Sequence, residues 1–271
     1  MTILVAGAYR GLDDLADAIR IVRIDFVTPK VTVVPLPRDL EIQLPPDVPY
    51  NSPTKLNVSY ILGTPVFSHN VGIEGGAQLL ARTIEHNFGI HVDHYLVVSG
   101  RGFRDFIDVI GGVPVYIPYR IKDYASGANF YPGPHWLDGR EALQLARARK
   151  DTPGGDLTRI ERQTWILKGI LISLAQGETL QQIPDIFQTF QRSMVTDLTL
   201  EDVKDFTCLT AHMLETDQKP IYYNPPTDLL TNTRDNVYIF INQPPAWSAV
   251  VQWDERYVDW LHKALQGEIE P

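Results

Sequence analysis

The chain has 271 residues, 44% of them hydrophobic and 21% charged, which is the composition of a globular protein with a sizeable core and excludes an intrinsically disordered one. The net charge of −9 arises beyond residue 170, because residues 1–170 hold 18 acidic and 18 basic side chains; the front of the chain can therefore build a basic site inside an acidic protein. Whole-chain acidity argues against general nucleic-acid binding, and the single cysteine, Cys208, excludes an intrachain disulfide and is expected to be a buried, inert thiol.

No run reaches the ~18 apolar residues that a bilayer span needs, and Thr2 to Gly7 is too short and lacks the basic flank of a signal peptide. That segment reads as a first strand, and a chain opening on a core strand suggests a segment lost upstream. Ala18 to Phe26 and Val31 to Leu36 are strand-like runs joined by a turn at Thr28-Pro29-Lys30, with Pro35 and Pro37 pushing the second run toward an edge or its end. Pro45, Pro46, Pro49 and Pro53 mark residues 39–54 as a loop, and Lys55 to Gly63 suits a short helix. Ala77, Leu80, Ala81 and Ile84 recur at helical spacing within a helix from Glu74 to Phe88, stopped by Gly89. His94 to Val98 is a strand, Arg101 to Ile110 a helix closed by Gly111-Gly112, and Val113 to Ile117 another strand. Residues 123–137 read as a polar, aromatic loop. A helix from Asp138 to Ala146 precedes a longer one from Asp156 to about Ala175. In the tail the signals weaken: helical stretches near 178–190 and 200–214, a strand from Val237 to Ile241, and a last helix from Asp254 to Gln266. Alternating strands and helices predict an α/β fold, a single domain with a central mixed sheet flanked by helices. Residues 1–176 are expected to form the core, with 177–271 an extension completing the same domain.

Chemistry concentrates in Arg147 to Gln163. Arg147 and Arg149 stand two apart and, in an extended segment, point the same way. The following helix puts Asp156, Arg159 and Gln163 on one face, with Arg162 about a third of a turn away. Arginines suit an anion because their planar fork grips phosphate oxygens in pairs and stays charged. Asp156 can orient an arginine or accept a proton, although it can equally cap the helix. Arg38, in Pro37-Arg38-Asp39, closes a strand where α/β proteins place functional loops. Asp17 opens a strand, where a carboxylate can hold Mg²⁺. No Walker, dinucleotide, GxSxG, HExxH or CxxC motif occurs, and His86, His91 and His94, the nearest histidine group, read as structural.

In order along the chain, Asp17-Ala18-Ile19, Leu36-Pro37-Arg38-Asp39, Lys55-Leu56-Asn57 with Tyr60, Gly89-Ile90 through His94-Tyr95, Gly111-Gly112-Val113-Pro114-Val115, Leu137 to Leu143 and Arg147 to Gln163 resemble the motif blocks of the LytR–CpsA–Psr family of bacterial cell-wall enzymes. The last block has that family's R-x-R followed by D-x-x-R-x-x-R-Q. The resemblance covers most of residues 1–170; the tail shows little of it. It implies a transferase moving a glycopolymer from a polyprenyl-pyrophosphate carrier onto a peptidoglycan sugar hydroxyl as a phosphodiester, with a long apolar pocket for the lipid and Mg²⁺ as cofactor. Carried over by position, Arg38, Arg147, Arg149, Arg159 and Gln163 would contact pyrophosphate, with Lys55 and Arg162 as weaker phosphate ligands. Asp156 would orient them or help activate the acceptor, and Asp17 would bind the metal. The family's second metal-binding acid is replaced by Tyr9, for which Asp13 or Asp14 would have to substitute. The resemblance also implies the extracytoplasmic face of the plasma membrane, with the usual N-terminal anchor absent from this chain. Two other functions stay open: a non-catalytic module binding lipid phosphate or wall polymer, and a hydrolase of the same pyrophosphate.

Overall fold

A computed structural model describes residues 1–8, 11–67, 74–149, 155–175, 183, 186–187, 193–239 and 243–271. The chain divides into two compact units. One comprises Met1–Ser99, Met194–Leu198 and Pro220–Pro271; the other comprises Gly100–Ser193 and Thr199–Lys219. The tail is thus shared, with 199–219 in the second unit and 220–271 in the first.

The first unit is built on a six-stranded sheet of order β11-β6-β1-β2-β3-β12. Its strands are β1 (Thr2–Ala8), β2 (Ala16–Asp25), β3 (Lys30–Leu36), β6 (His94–Ser99), β11 (Met194–Thr196) and β12 (Ile221–Tyr222). β1, β2 and β3 form an antiparallel meander, β6 runs parallel to β1, β11 antiparallel to β6, and β12 parallel to β3, so the sheet is mixed. β12 pairs with Thr32 and Val33 alone, which leaves Pro35, lacking an N–H, clear of any ladder on that side. The expected loop at 39–54 contains two short paired strands, β4 (Glu41–Ile42) and β5 (Thr54–Lys55). Helix α1 (Leu56–Leu62) packs on β2 and α2 (Glu74–Phe88) on β6. A hairpin of β13 (Thr231–Val237) and β14 (Ala246–Gln252) precedes the last helix, Glu255–Gln266, which lies on β2 and β3. The strand expected at Val237–Ile241 is therefore displaced: β13 ends at Val237, and residues 240–242 lie outside those described. Leu4, Ile19, Ile21, Val34, Leu36, Leu80, Ile84, Phe88, Val97, Tyr257 and Leu261 belong to one continuous buried core. At roughly 1.5–3 kcal/mol per fully buried large apolar side chain, that burial is the main force holding sheet to helices.

The second unit contains α3 (Gly100–Val109), β7 (Val113–Ile117), β8 (Ile121–Asp123), β9 (Ala128–Phe130), β10 (Gly133–Leu137), α4 (Gly139–Arg147), α5 (Gly155–Leu174) and α6 (Leu200–Glu215); the final helix of the first unit is α7. Residues 123–137, read as a loop, hold β9 and β10: β8 pairs with β9 and β7 with β10, both antiparallel. α5 lies close on β7, with no room for a Cβ at Gly169, where one would come 2.5 Å from the Pro114 carbonyl. Cys208 is exposed rather than buried. The inner face of α6 is set by Val203, Leu209 and Met213, and Cys208 is turned about 100° from its neighbour Leu209. Among the described residues no helix is long and apolar enough to cross a membrane.

Candidate functional site

The predicted site residues fall into two groups, one in each unit. In the first unit the β2–β3 hairpin sets the geometry. Its register pairs Ile19 with Leu36 and Arg20 with Pro35, and continuing it by two residues puts Asp17 opposite Arg38. On its other side β2 makes a β-bulge against β1. Gly7 pairs with Ala18 and Ala8 with Ala16, so Asp17 is the extra residue, a device that re-aims a side chain at a sheet end. The Arg38 guanidinium donates to Asp17 Oδ1 at 2.5 Å and lies 3.3 Å from Asp39 Oδ2, while Lys55 Nζ donates to Asp39 Oδ1 at 3.1 Å. Backbone bonds hold the cluster together. The first N–H groups of α1, without a side-chain cap, donate to main-chain carbonyls: Leu56 to Leu40 at 2.9 Å and Asn57 to Arg38 at 3.0 Å. The Asp39 carbonyl accepts from Val251 at 2.8 Å, which ties the segment to β14. Two acids and two bases thus alternate along Asp17, Arg38, Asp39 and Lys55, with side chains 14–20% exposed.

Asp17 was expected to bind a metal and Arg38 a phosphate; the structure brings the two together as an ion pair. Among the described residues no group of three or more His, Cys, Asp or Glu side chains is placed to hold a metal ion. Mg²⁺ nevertheless needs only one or two carboxylates when waters and phosphate oxygens complete its shell, and Asp17, partly exposed, suits such a site. Tyr9, standing where the family's second acid would be, lies outside the described residues. Asp14 accepts the Leu15 N–H at 2.8 Å. Nearby, the Tyr60 hydroxyl donates to the Leu12 carbonyl at 2.6 Å; burial, with the charge of Asp13 adding to it, pushes that phenol above its ordinary range.

In the second unit the centre is the segment from Ala146 to Arg149. α4 starts in a capping box, where the Asp138 carboxylate accepts the Glu141 N–H and Glu141 reaches back to the Asp138 N–H. Arg147 is the last residue of α4, so the expected extended stretch reduces to Ala148, at φ −62° and ψ 123°, followed by Arg149. Three hydrogen bonds fix this exit. Gln163 Nε2 donates to the Ala146 carbonyl at 3.2 Å and Arg162 Nη2 to the Ala148 carbonyl at 2.5 Å. The Arg149 N–H donates to Asp123 Oδ2 at 2.6 Å. Arg162 is completely buried and Arg159 nearly so, whereas Arg147 is half-buried and Arg149 exposed. Gln163 and Arg162, read as phosphate ligands, here grip the backbone that carries Arg147 and Arg149. Asp156 is the second residue of α5, and its side chain lies outside the described residues.

Asp123 and Asp39 were given no role by sequence reasoning. Asp123 is buried and accepts three backbone N–H groups, those of Arg149, Ala125 at 2.8 Å and Ser126 at 3.2 Å. An Asp opening the Asp-Tyr-Ala-Ser-Gly turn is a local signal for the last two bonds; nothing local signals the reach to Arg149, 26 residues on.

The model of the LytR_cpsA_psr family matches residues 1–245. The chain is 27% identical over 190 residues to the polyisoprenyl-teichoic acid–peptidoglycan teichoic acid transferase TagU of Bacillus licheniformis, covering 70% of this chain and 56% of TagU. It is 31% identical over 192 residues to the regulatory protein MsrR of Staphylococcus aureus, covering 69% of this chain and 53% of MsrR. The chain thus spans about half the length of these relatives. The crystal structure of Bacillus subtilis TagV superimposes with a TM-score of 0.72 at 22% identity, over 100% of this chain and 98% of that one.

Proposed function

The chain belongs to the LytR–CpsA–Psr family, and from that premise we propose that it transfers a glycopolymer from a polyprenyl-pyrophosphate carrier to a sugar hydroxyl of peptidoglycan, at the extracytoplasmic face of the bacterial plasma membrane. The hydroxyl oxygen attacks the phosphorus bearing the polymer. The bond from that phosphorus to the bridging oxygen breaks, polyprenyl phosphate departs, and a phosphodiester joins polymer to wall. The hydroxyl proton passes to a base, the role assigned to Asp156. Negative charge grows on the bridging and leaving oxygens, so cations fixed near them stabilise the transition state more than the ground state. From the family resemblance, Arg38, Arg147, Arg149, Arg159 and Gln163 are the proposed pyrophosphate contacts. Lys55 is a weaker one, whereas Arg162, completely buried on the Ala148 carbonyl, supports the segment that carries Arg147 and Arg149. Mg²⁺, held by Asp17, would neutralise phosphate charge when bound. The lipid chain is assigned to an apolar pocket.

The observation that carries this reading is the mounting of the R-x-R segment. A guanidinium can stabilise a transition state without reorganisation only if its backbone is held, and Gln163, Arg162 and Asp123 hold it at three successive points. TagU, named as a transferase of teichoic acid from a polyisoprenyl carrier to peptidoglycan, supplies the substrate class.

The test is release of polyprenyl phosphate from a lipid-linked donor, measured with and without peptidoglycan acceptor. Arg149→Ala is expected to cut turnover about a hundredfold, the usual cost of one such donor; unchanged turnover would overturn its assigned role. Release at equal rate without acceptor would mean hydrolysis, and no release at all would leave a binding module. Chelation of divalent cations is expected to abolish release and adding back Mg²⁺ to restore it.

A further inference from the structure

Strands β7 and β10 carry one buried and one open face. Val113, Val115 and Ile117 are turned inward, and α5 lies against β7. On the outer face the register sets Tyr116 opposite Pro134 and Pro114 opposite Trp136, so the two aromatic rings are diagonal neighbours. Tyr116 is 68% exposed and Trp136 is 56% exposed. Trp136 is nevertheless fixed: its Nε1–H donates to the Gly111 carbonyl at 2.8 Å. Its ring also lies over Gly112, at φ +90°, where an added Cβ would come 2.6 Å from the indole nitrogen. At the β8–β9 hairpin, Tyr124 in its turn and Tyr131 just after β9 are two more exposed rings, each with a cation over it. The Arg120 guanidinium sits 4.0 Å from the Tyr131 ring centre and Lys122 Nζ 4.8 Å from that of Tyr124. The hairpins are joined by the edge-on contact of Phe130 with His135, at 5.7 Å between ring centres.

Two features identify what this surface takes. Among the described residues every exposed large hydrophobic side chain from 113 to 137 is aromatic: Tyr116, Tyr124, Tyr131 and Trp136. A bilayer is entered by aliphatic side chains as well, whereas flat rings with polar edges suit the C–H face of a pyranose. Further, the Arg120 guanidinium donates to the Ile121 and Phe130 carbonyls and to Asn129 Oδ1, and no carboxylate among the described residues forms an ion pair with it or with Lys122, so the β8–β9 hairpin keeps positive charge in an acidic protein. We propose that these two touching hairpins together form a binding platform for a glycan strand with carboxylate-bearing branches, sugar rings stacking on Trp136 and Tyr116 while the carboxylates meet Arg120 and Lys122. Naming that strand peptidoglycan, the acceptor, rests on the function proposed above; the stacking itself does not.

The platform is tested by co-sedimentation of the purified full chain with insoluble bacterial peptidoglycan, alongside anionic phosphatidylglycerol vesicles and the donor-release assay. Tyr116→Ala, at an exposed position, and the double variant Arg120→Gln/Lys122→Gln, which pairs half-buried Arg120 with exposed Lys122, are each expected to need about tenfold more peptidoglycan for half-binding. Acceptor-independent release should stay at the wild-type level. Peptidoglycan binding by either variant equal to wild type, or no binding by the wild type, overturns the platform. So does binding to vesicles that both variants lose while peptidoglycan binding stays unchanged. A wild type that binds peptidoglycan through Tyr116 but releases no polyprenyl phosphate would refute the transfer reaction and leave the platform standing.

Discussion

Asp17 and Arg38 show how a single pair can serve both folding and chemistry. Each side chain is about four-fifths buried, so the ion pair is shielded more than a surface pair and its loss leaves a charge poorly solvated. Arg38→Ala should therefore lower stability by about 1–3 kcal/mol in urea unfolding, in addition to any loss of turnover. Arg38→Lys should restore part of the stability without the two-pronged grip on phosphate. Asp123 makes the opposite case, a carboxylate proposed to touch no substrate. Asp123→Ala strands three backbone N–H groups and frees the Arg149 main chain. We expect kcat to fall while donor KM changes less, since the guanidinium remains but its position is no longer fixed; equal KM and kcat for variant and wild type would refute the link. That a β2–β3 hairpin brings Asp17 and Arg38 to the same end of the sheet was legible, although a turn at 28–30 would pair Val27 with Val31 and set Arg20 opposite Arg38; the observed register pairs Asp25 with Lys30 instead. The grip of Arg162 on Ala148 was not: helical spacing tells which way a side chain leaves its helix, not which carbonyl it meets.

Among the elements, the β2–β3 hairpin carries a titratable latch. The Thr28 hydroxyl, then the backbone N–H groups of Thr28 and Val27, hold the Asp25 carboxyl down at about 2. A carboxyl lowered on folding contributes stability above its unfolded value near ~4, and that contribution is lost as pH falls through the folded value. Amide exchange at Val27 and Thr28, compared with nearby strand amides, should therefore accelerate as pH drops from about 4 to 2. Asp25→Asn should remove that dependence. At α4, Asp138→Ala should cost about 1 kcal/mol, the usual worth of an N-cap, and loosen the helix that ends in Arg147. Long amphipathic elements were readable from spacing: α2 occupies Glu74–Phe88, the range that the recurrence of Ala77, Leu80, Ala81 and Ile84 suggested. β8 and β9 have three residues each, Ile-Lys-Asp and Ala-Asn-Phe, too few for alternation to stand out, and this is why Tyr124, Tyr131 and Trp136 were hidden in an apparent loop while Tyr116 fell in an expected strand.

At the scale of the whole molecule, the tail is not an accessory. Tyr223, Leu230, Val251, Tyr257, Leu261, Ala264 and Leu265 all belong to the buried core of the first unit. A chain ending at residue 176, the boundary suggested by the motifs, would lack them along with β11 and β12. It should give no cooperative unfolding transition by circular dichroism, and a cooperative one would show that the front of the chain folds alone. The sequence concealed this because the tail's apolar residues serve a sheet laid down some 190 residues earlier, a relation that no local window contains. That arrangement also sets a timetable. The two strands flanking the sheet, β11 and β12, come from residues 194–196 and 221–222. Until those residues emerge, β6 and β3 offer bare backbone edges to any passing strand. Such distant pairings also close slowly. A newly made chain is thus most vulnerable to aggregation over the last stages of its synthesis, and a holdase that shields strand edges during that interval should raise the yield of folded protein more than any substitution in the core.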